Sequence, residues 1–129
     1  MKIESEKLLL DLMERTRLNI NQVKKFNALS KELTYRFGHQ SWNILECIEH
    51  LNLYGDFYIP EIEKAFESSD NFPDSRFKSG FLGNFFATQM LPRERLNKMR
   101  TFSNKNPIGI ALNKTTLERF IAQQEQLLV

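Results

Sequence analysis

Residues 41–68, SWNILECIEHLNLYGDFYIPEIEKAFES, are the stretch that decides the fold. Apolar or small residues recur there at steps of three or four: Ile44, Ile48, Leu51, Gly55, Tyr58, Ile62 and Ala65. Ser41 is a good N-cap, because its hydroxyl can accept a hydrogen bond from a free backbone N–H. The spacing therefore predicts a helix to Ser68, about 42 Å long at about 1.5 Å per residue. Pro60 lacks an N–H and clashes with the preceding turn, so we expect a kink near Asp56, or a break and restart.

Two more long helices are predicted, one on each side of this stretch. The chain from residue 4 to 35 lacks glycine and proline, which favours an unbroken helix. Its mostly apolar stripe consists of Leu9, Met13, Ile20, Val23 and Asn27, with Thr16 in the gap. Gly38, after Phe37, is expected to end it. The last helix is predicted to begin at Thr115 or Thr116, with a face formed by Leu117, Phe120, Ile121, Gln124 and Leu128.

The segment between the second and last long helices is predicted to be an ordered crossover. Residues 69–83 are rich in turn formers, yet phenylalanines are dense there and just beyond: Phe72, Phe77, Phe81, Phe85 and Phe86. These rings are too apolar for a solvated linker, so we expect them to fill the core or a subunit interface. The further elements predicted are a short helix Asn84–Leu91, a helical piece Pro92–Met99 and a loop Asn104–Asn113.

These elements predict one all-α domain over residues 1–129, an up-down helical bundle with a long crossover. A four-helix bundle needs one more partner than three long helices supply. Either a short element within residues 84–99 takes that place, or a helix follows Val129. The chain ends on an apolar, uncapped turn, so we expect a domain that is incomplete at its C-terminus. The apolar seam that results favours a homodimer.

The composition excludes several classes of protein. The chain is 41% hydrophobic and 26% charged, which excludes a disordered or collagen-like chain. No apolar run approaches the roughly 20 residues that cross a bilayer, and the acidic N-terminus does not suit a signal peptide. Cys47 is the only cysteine, which excludes an internal disulfide and multi-cysteine zinc sites. We therefore expect a cytoplasmic protein without a membrane partner.

Charge is unevenly distributed along the chain. The net charge is +2, but residues 1–74 carry −4 and residues 75–114 carry +7. Such a basic segment can attract an anionic ligand or a polyanion. Basic side chains interleaved with phenylalanines also allow a nucleic-acid interface over residues 76–114. We rank nucleic acid last among the partners, because no nucleic-acid-binding motif accompanies the basic segment.

The stretch Gln40–Asn52, QSWNILECIEHLN, resembles helix 2 of the DinB/YfiT-like superfamily. That helix begins Ser-Trp, here Ser41 and Trp42, and carries a histidine about eight residues later, here His50, followed by leucine. Further similar features are Phe37-Gly38, the residues Tyr54, Tyr58 and Ile62, and the crossover Phe81-Leu82-Gly83-Asn84 ahead of Met-Leu-Pro and Lys-Met-Arg-Thr. The resemblance covers most of the chain and implies a four-helix bundle.

The resemblance also implies a function. DinB-like proteins look like metal-dependent hydrolases or thiol transferases with three histidine ligands, one on helix 2 and two in a His-x-x-x-His motif on the last helix. The helix-2 ligand position matches His50, but no histidine follows it in this sequence. The resemblance therefore implies a divalent metal, zinc or nickel, in the intact protein, and none bound tightly by this chain alone. The small-molecule substrate is not implied.

The residues around His50 allow an ordinary alternative. On one helix, His39 would lie about 16 Å from His50 along the axis, which is too far to share one ion unless the chain folds sharply between them. We expect His39 just before the helix. Glu46 lies one turn before His50 and Tyr54 one turn after it, so these three could chelate from one face. Glu46 and His50 are equally an ordinary polar pair at i,i+4.

Other side chains of this stretch are expected to be structural. Cys47 would need a nearby base to act as a nucleophile, so we favour a place in the core. Trp42, Tyr54 and Tyr58 could line a pocket, although large core groups with polar tips are the favoured interpretation. The second functional hypothesis is accordingly a non-catalytic bundle whose apolar C-terminal face packs on another protomer.

Overall fold

The computed structural model describes residues 2–36, 38, 41–70, 74–90 and 105–129. Its helices are α1 (Ser5–Lys25), α2 (Ile44–Ser68), α3 (Phe81–Met90) and α4 (Thr115–Leu128). Its strands are β1 (Lys2–Glu4) and β2 (Arg76–Lys78), and its two 3-10 turns are Phe26–Ala28 and Lys31–Leu33. The described residues are mostly helical, which confirms the all-α class. The DinB-like four-helix arrangement stays a prediction.

The core forms where α4 packs against both α1 and α2. Its buried members are Val23, Leu33, Leu45, Ile48, Leu117 and Phe120. Leu117 is completely buried, and it comes from the predicted face of α4. Each such side chain contributes on the order of 1.5–3 kcal/mol relative to an exposed one. The last helix thus joins the first two helices into one unit.

The first helix is shorter than predicted. It ends at Lys25, and two 3-10 turns replace the expected continuation to residue 35. In a continuous helix, Leu33 would lie about 140° around the axis from the buried Ile20, at about 100° per residue. The change of direction instead brings Leu33 into the core, where it is 3% exposed. Burial of Leu33 accounts for the early end, and Phe37 lies outside the described residues.

The second helix ends at the predicted Ser68 but begins later than expected. Its N-cap is Asn43, not Ser41, and Asn43 forms a capping box with Glu46. The Asn43 side chain accepts the backbone N–H of Glu46 at 2.7 Å, and the Glu46 carboxylate accepts the backbone N–H of Asn43 at 3.0 Å. Pro60 lies inside one continuous helix, so of the two alternatives the break and restart is wrong, and the kink near Asp56 stays a prediction. Ile59 beside it is buried, and its packing supports the helix there.

The crossover contains a strand that the sequence pattern did not predict. β2 pairs antiparallel with β1, and Ile3 lies opposite Phe77 in the register. α3 begins at Phe81 rather than Asn84, because the Asn84 N–H already bonds to the carbonyl of Gly80 at 2.9 Å. Residues 105–113 contain no long element, as predicted, whereas the helical piece Pro92–Met99 lies outside the described residues.

The crossover phenylalanines do not fill the core. Phe81 is 91% exposed, and Phe77, Phe85 and Phe86 are exposed as well. The prediction of core burial is wrong for these four, whose rings face solvent from β2 (Phe77) and from α3 (the other three). The alternative, a subunit interface, stays a prediction, and Phe72 lies outside the described residues. Within the described part of the chain, no helix combines the length and apolar character that a membrane span requires.

Candidate functional site around His50

His50 lies on α2 between two aromatic rings. The centroid of the Trp42 ring is 4.8 Å from that of the imidazole, and the two rings are tilted by 47°. Tyr54, one turn further along α2, meets the imidazole edge-on at 5.0 Å. Aromatic contacts at these distances fix ring orientation and add about 0.5–1.5 kcal/mol each beyond burial. The sequence-predicted residues Trp42, His50 and Tyr54 are therefore brought together.

The tautomer of the neutral imidazole is set by a backbone group. The Nδ1 atom of His50 lies 3.0 Å from the carbonyl oxygen of Lys105. A carbonyl oxygen can only accept, so Nδ1 carries the proton of this bond. In the neutral ring the lone pair is then on Nε2, which has no hydrogen-bond partner among the described residues. Among the described residues, Nε2 therefore keeps its lone pair without a hydrogen-bond partner.

Glu46 does not join His50, although it lies one turn before it. Its carboxylate has no exposed area. One oxygen accepts the Asn43 N–H, and the other accepts Arg36 at 2.5 Å and the N–H of Gly109 at 2.9 Å. Burial alone would raise the pKa of Glu46, but the bonds from Arg36, Asn43 and Gly109 outweigh it and lower that pKa. The predicted i,i+4 pair is therefore absent from the described structure, because the capping box turns Glu46 away.

Cys47 is exposed, so the prediction of a core position is wrong. Partial burial of the thiol, and then the negative charge of Glu46, raise the pKa of Cys47 above its ordinary value. A raised pKa reduces the thiolate fraction at neutral pH, which makes this side chain a poor nucleophile.

A second polar cluster joins another face of α2 to α4. Arg119 donates from Nη1 to both oxygens of the nearly buried Glu49, at 2.7 and 3.1 Å, and from Nη2 to Asp56 at 2.9 Å. The fully buried Asn52 donates to Glu49 and to the carbonyl of Thr116. Arg119 bonds to both carboxylates, although its single positive charge offsets only one of their two negative charges, and these bonds fix the packing of α2 against α4.

Two oxygens of this cluster lack partners. Asn52 Oδ1 and Gln123 Oε1 are both buried and accept no hydrogen bond within the described part of the chain. The amide nitrogens of the same two side chains are bonded, which fixes the orientation of both amides. Each unsatisfied oxygen costs about 1–3 kcal/mol of desolvation.

An open apolar groove of about 280 Å³ begins beside the aromatic row. It runs between α1, α2 and α4, and the residues that line it include Leu51, Tyr54, Tyr58, Ile62, Phe120 and Leu127. The ring of Tyr54 stacks on that of Tyr58 at 6.1 Å, so His50, Tyr54 and Tyr58 form one continuous row. The two tyrosines thus line a groove, as one of the predictions allowed. A larger hollow of about 730 Å³ lies at the start of α1, and His50 is not among its lining residues.

The described residues supply one metal donor at this place. No group of three or more His, Cys, Asp or Glu side chains that could hold a metal ion occurs among them. His50 fits a single ligand, since its Nε2 has no partner in the described ranges, whereas Glu46 and Glu49 are already bound to arginines. His39 lies outside the described residues. By themselves, then, the residues in place do not form a metal site.

Several residues that hold the site could not be found by the sequence reasoning. Arg36 lies ten positions before its partner Glu46, and Lys105 acts through its carbonyl, which leaves no trace in the sequence. Asn43 could have been found, because Asn-x-x-Glu is the pattern of a capping box.

Comparison of the chain with protein-family models, with curated proteins and with solved structures finds no match. The functional argument therefore depends on the residues themselves.

Proposed function

We propose that this protein is a DinB-like metal-dependent enzyme, a hydrolase or thiol transferase built on a four-helix bundle. His50 supplies one ligand to a divalent ion, zinc or nickel. The remaining ligands come from outside the described residues. A divalent ion bound there would polarise a substrate or activate a water or a thiol.

The single observation that supports this function is the hydrogen bond from His50 Nδ1 to the Lys105 carbonyl. Metal-binding histidines almost always donate their other ring N–H to a carboxylate, a backbone carbonyl or a water. This bond keeps the proton on Nδ1 and the lone pair on Nε2. The contacts with Trp42 and Tyr54 add a fixed ring plane.

The chain's own residues have separate tasks in this proposal. His50 binds, the Lys105 carbonyl holds its proton, and Trp42 with Tyr54 orients the ring. The groove beyond Tyr54 offers apolar walls and the two tyrosines to a substrate. The substrate itself is left unassigned.

The experiment measures bound zinc and nickel in the protein translated from the complete reading frame. The variants are His50→Ala and, as the matched control, His39→Ala, which removes the only other histidine of these 129 residues. We expect the metal content to fall at least tenfold in His50→Ala and to stay near the wild-type level in His39→Ala, in line with the loss of one ligand of three. Equal metal content in all three proteins would refute the proposal.

A second function, association without catalysis, is favoured by the exposed surface of α3. Phe81 is 91% exposed and Leu82 65%, with Phe85 and Phe86 beside them, and α3 carries no charged residue. Exposed apolar patches of this kind mark association surfaces. Here the occupant is a second copy, which gives a homodimer. Sedimentation across a range of concentrations tests for the dimer. We expect the double variant with Phe81→Ser and Phe85→Ser to dimerise more weakly than the wild type. A wild-type protein that is monomeric at all concentrations would exclude the homodimer.

A further inference from the structure

The imidazole of His50 is held by residues 105–113, a loop in which Pro107 is fully buried and Leu112 packs against the core. The carbonyl that accepts its Nδ1–H belongs to Lys105, at the start of residues 105–113. Within this loop the N–H of Ile110 bonds to the carbonyl of Pro107 at 3.1 Å, and the N–H of Ile108 to the side chain of Asn106 at 3.1 Å. These bonds shape the turn, but they do not attach it to α2.

Besides the bond to His50 itself, two contacts link the described residues of this loop to α2. The Nζ atom of Lys105 lies 5.9 Å from the centre of the Phe57 ring, an exposed cation–π contact worth about 0.5–1 kcal/mol. The N–H of Gly109 donates to the carboxylate of Glu46 at 2.9 Å. The second contact is the stronger, because its acceptor is a charged group without solvent exposure.

Glu46 is in turn fixed in place by two other segments. Arg36 of the linker after α1 bonds to the same oxygen that accepts Gly109, and the Asn43 N–H bonds to the other oxygen. One buried carboxylate thus connects the linker, the start of α2 and the loop that carries Lys105. Gly109 has φ +81°, a conformation that side chains other than glycine rarely adopt, so the turn that presents its N–H depends on that glycine.

We propose that Glu46 is a positioning residue for His50 and acts through residues 105–109. By holding the N–H of Gly109, Glu46 keeps the Lys105 carbonyl against Nδ1, and that carbonyl keeps the lone pair of His50 on Nε2. The functional role given to this coupling rests on the proposed function, because a histidine that binds metal through Nε2 needs that nitrogen unprotonated. The positional coupling itself does not depend on a metal.

The test observes the tautomer of His50 directly. Long-range ¹H–¹⁵N correlation spectra report which ring nitrogen of a neutral imidazole carries the proton. The variant is Glu46→Ala. The matched control is Glu49→Ala, which removes another nearly buried, arginine-paired glutamate of α2 that is bonded to Arg119 instead of the loop.

We expect a predominantly Nδ1–H ring in the wild type and in Glu49→Ala. In Glu46→Ala the ring is expected to lose this preference, with at least half of the population as the Nε2–H form. A predominantly Nδ1–H ring in Glu46→Ala would overturn the proposal. Loss of the preference in Glu49→Ala to the same extent would also overturn it, because general destabilisation would then explain both results.

A second variant keeps the test decisive if Glu46→Ala does not fold. Gly109→Ala changes the residue that donates the hydrogen bond to Glu46. The added Cβ meets no atom within 4 Å, so the substitution disturbs only the left-handed backbone. We expect the Nδ1–H preference to decrease here too, and an unchanged preference would overturn the proposal. Neither measurement requires metal, so a protein that binds no metal yet shows this coupling would refute the proposed function alone.

Discussion

The amide oxygen of Gln123 on α4 occupies the space where a Cβ atom of residue 55 on α2 would be, and residue 55 is glycine. The amide nitrogen of the same side chain donates to the carbonyl of Asn52 at 3.2 Å and to Asp56 at 2.7 Å. Gly55 thus permits a close approach through which Gln123 joins the two helices.

Gly55→Ala is expected to lower the free energy of unfolding by about 1–2 kcal/mol. The new methyl group displaces Gln123 and breaks its two hydrogen bonds, which together contribute about 2–3 kcal/mol. Alanine has a better helix propensity than glycine, which offsets about 1 kcal/mol of this loss of stability. Urea denaturation measures the difference, and the matched control is Gly83→Ala in α3, where a Cβ meets nothing within 4 Å. The control is expected to be neutral or stabilising by up to about 1 kcal/mol.

The contact itself is tested by repeating Gly55→Ala in a Gln123→Ala background. Without the glutamine side chain, the alanine is expected to stabilise the protein or leave its stability unchanged. An equal loss of stability in both backgrounds would contradict this account of Gly55.

Glu46→Ala is expected to lower the free energy of unfolding by about 3 kcal/mol. The substitution leaves Arg36 and the N–H of Gly109 without their acceptor, and breaking a buried pair by removing one partner costs about 3–5 kcal/mol. Arg36 is about one-third exposed, which places the expected value at the low end. Glu67→Ala, at an exposed site on the same helix, is the control and should change stability by no more than about 0.5 kcal/mol. A similar effect in both variants would contradict the role given to Glu46.

Stability is expected to fall in acid partly through Glu46. Its folded pKa lies below the ordinary value of 4.5, so the unfolded chain takes up the proton first as the pH falls. The contribution is therefore complete above the unfolded pKa and is lost as the pH decreases through the folded one. Urea midpoints across this range should decrease less steeply in Glu46→Gln, which cannot titrate, than in the wild type. If the urea midpoints of the wild type and of Glu46→Gln decrease in parallel as the pH falls, Glu46 does not contribute to the acid sensitivity of the fold.

The thiol of Cys47 is expected to react slowly at neutral pH although it is exposed. Its raised pKa means that the alkylation rate should still be increasing at pH 9.0, the ordinary value for a cysteine. Rates with iodoacetamide as a function of pH measure this. Glu46→Gln should lower the apparent pKa, because it removes a nearby negative charge. An alkylation rate that already reaches its plateau below pH 9.0 would contradict a raised pKa for Cys47.

The sequence pattern predicted the long helices but not where the chain changes direction. The end of α2 at Ser68 and the face of α4 were predicted, since helical spacing reports burial directly. The end of α1 was missed because it depends on Leu33 reaching a core that includes Leu117 from the far end of the chain. Strands of three residues, such as β1 and β2, are too short to show an alternating pattern.

The candidate site was predicted in part for similar reasons. His50, Trp42 and Tyr54 lie on or next to one helix, so their proximity follows from the helical period. The supports of His50 come from distant segments: the Lys105 carbonyl lies 55 residues away, and Gly109 lies 63 residues from Glu46. Backbone groups brought together by tertiary contacts leave no residue pattern to detect.

The most direct test of the central claim is the ¹⁵N spectrum of the His50 imidazole in the full-length protein as zinc is added. We predict a large shift of Nε2 while Nδ1 keeps its proton, because the Lys105 carbonyl already occupies that side of the ring. Resonances that do not change with zinc, or a shift confined to Nδ1, would contradict the assignment of His50 as a metal ligand.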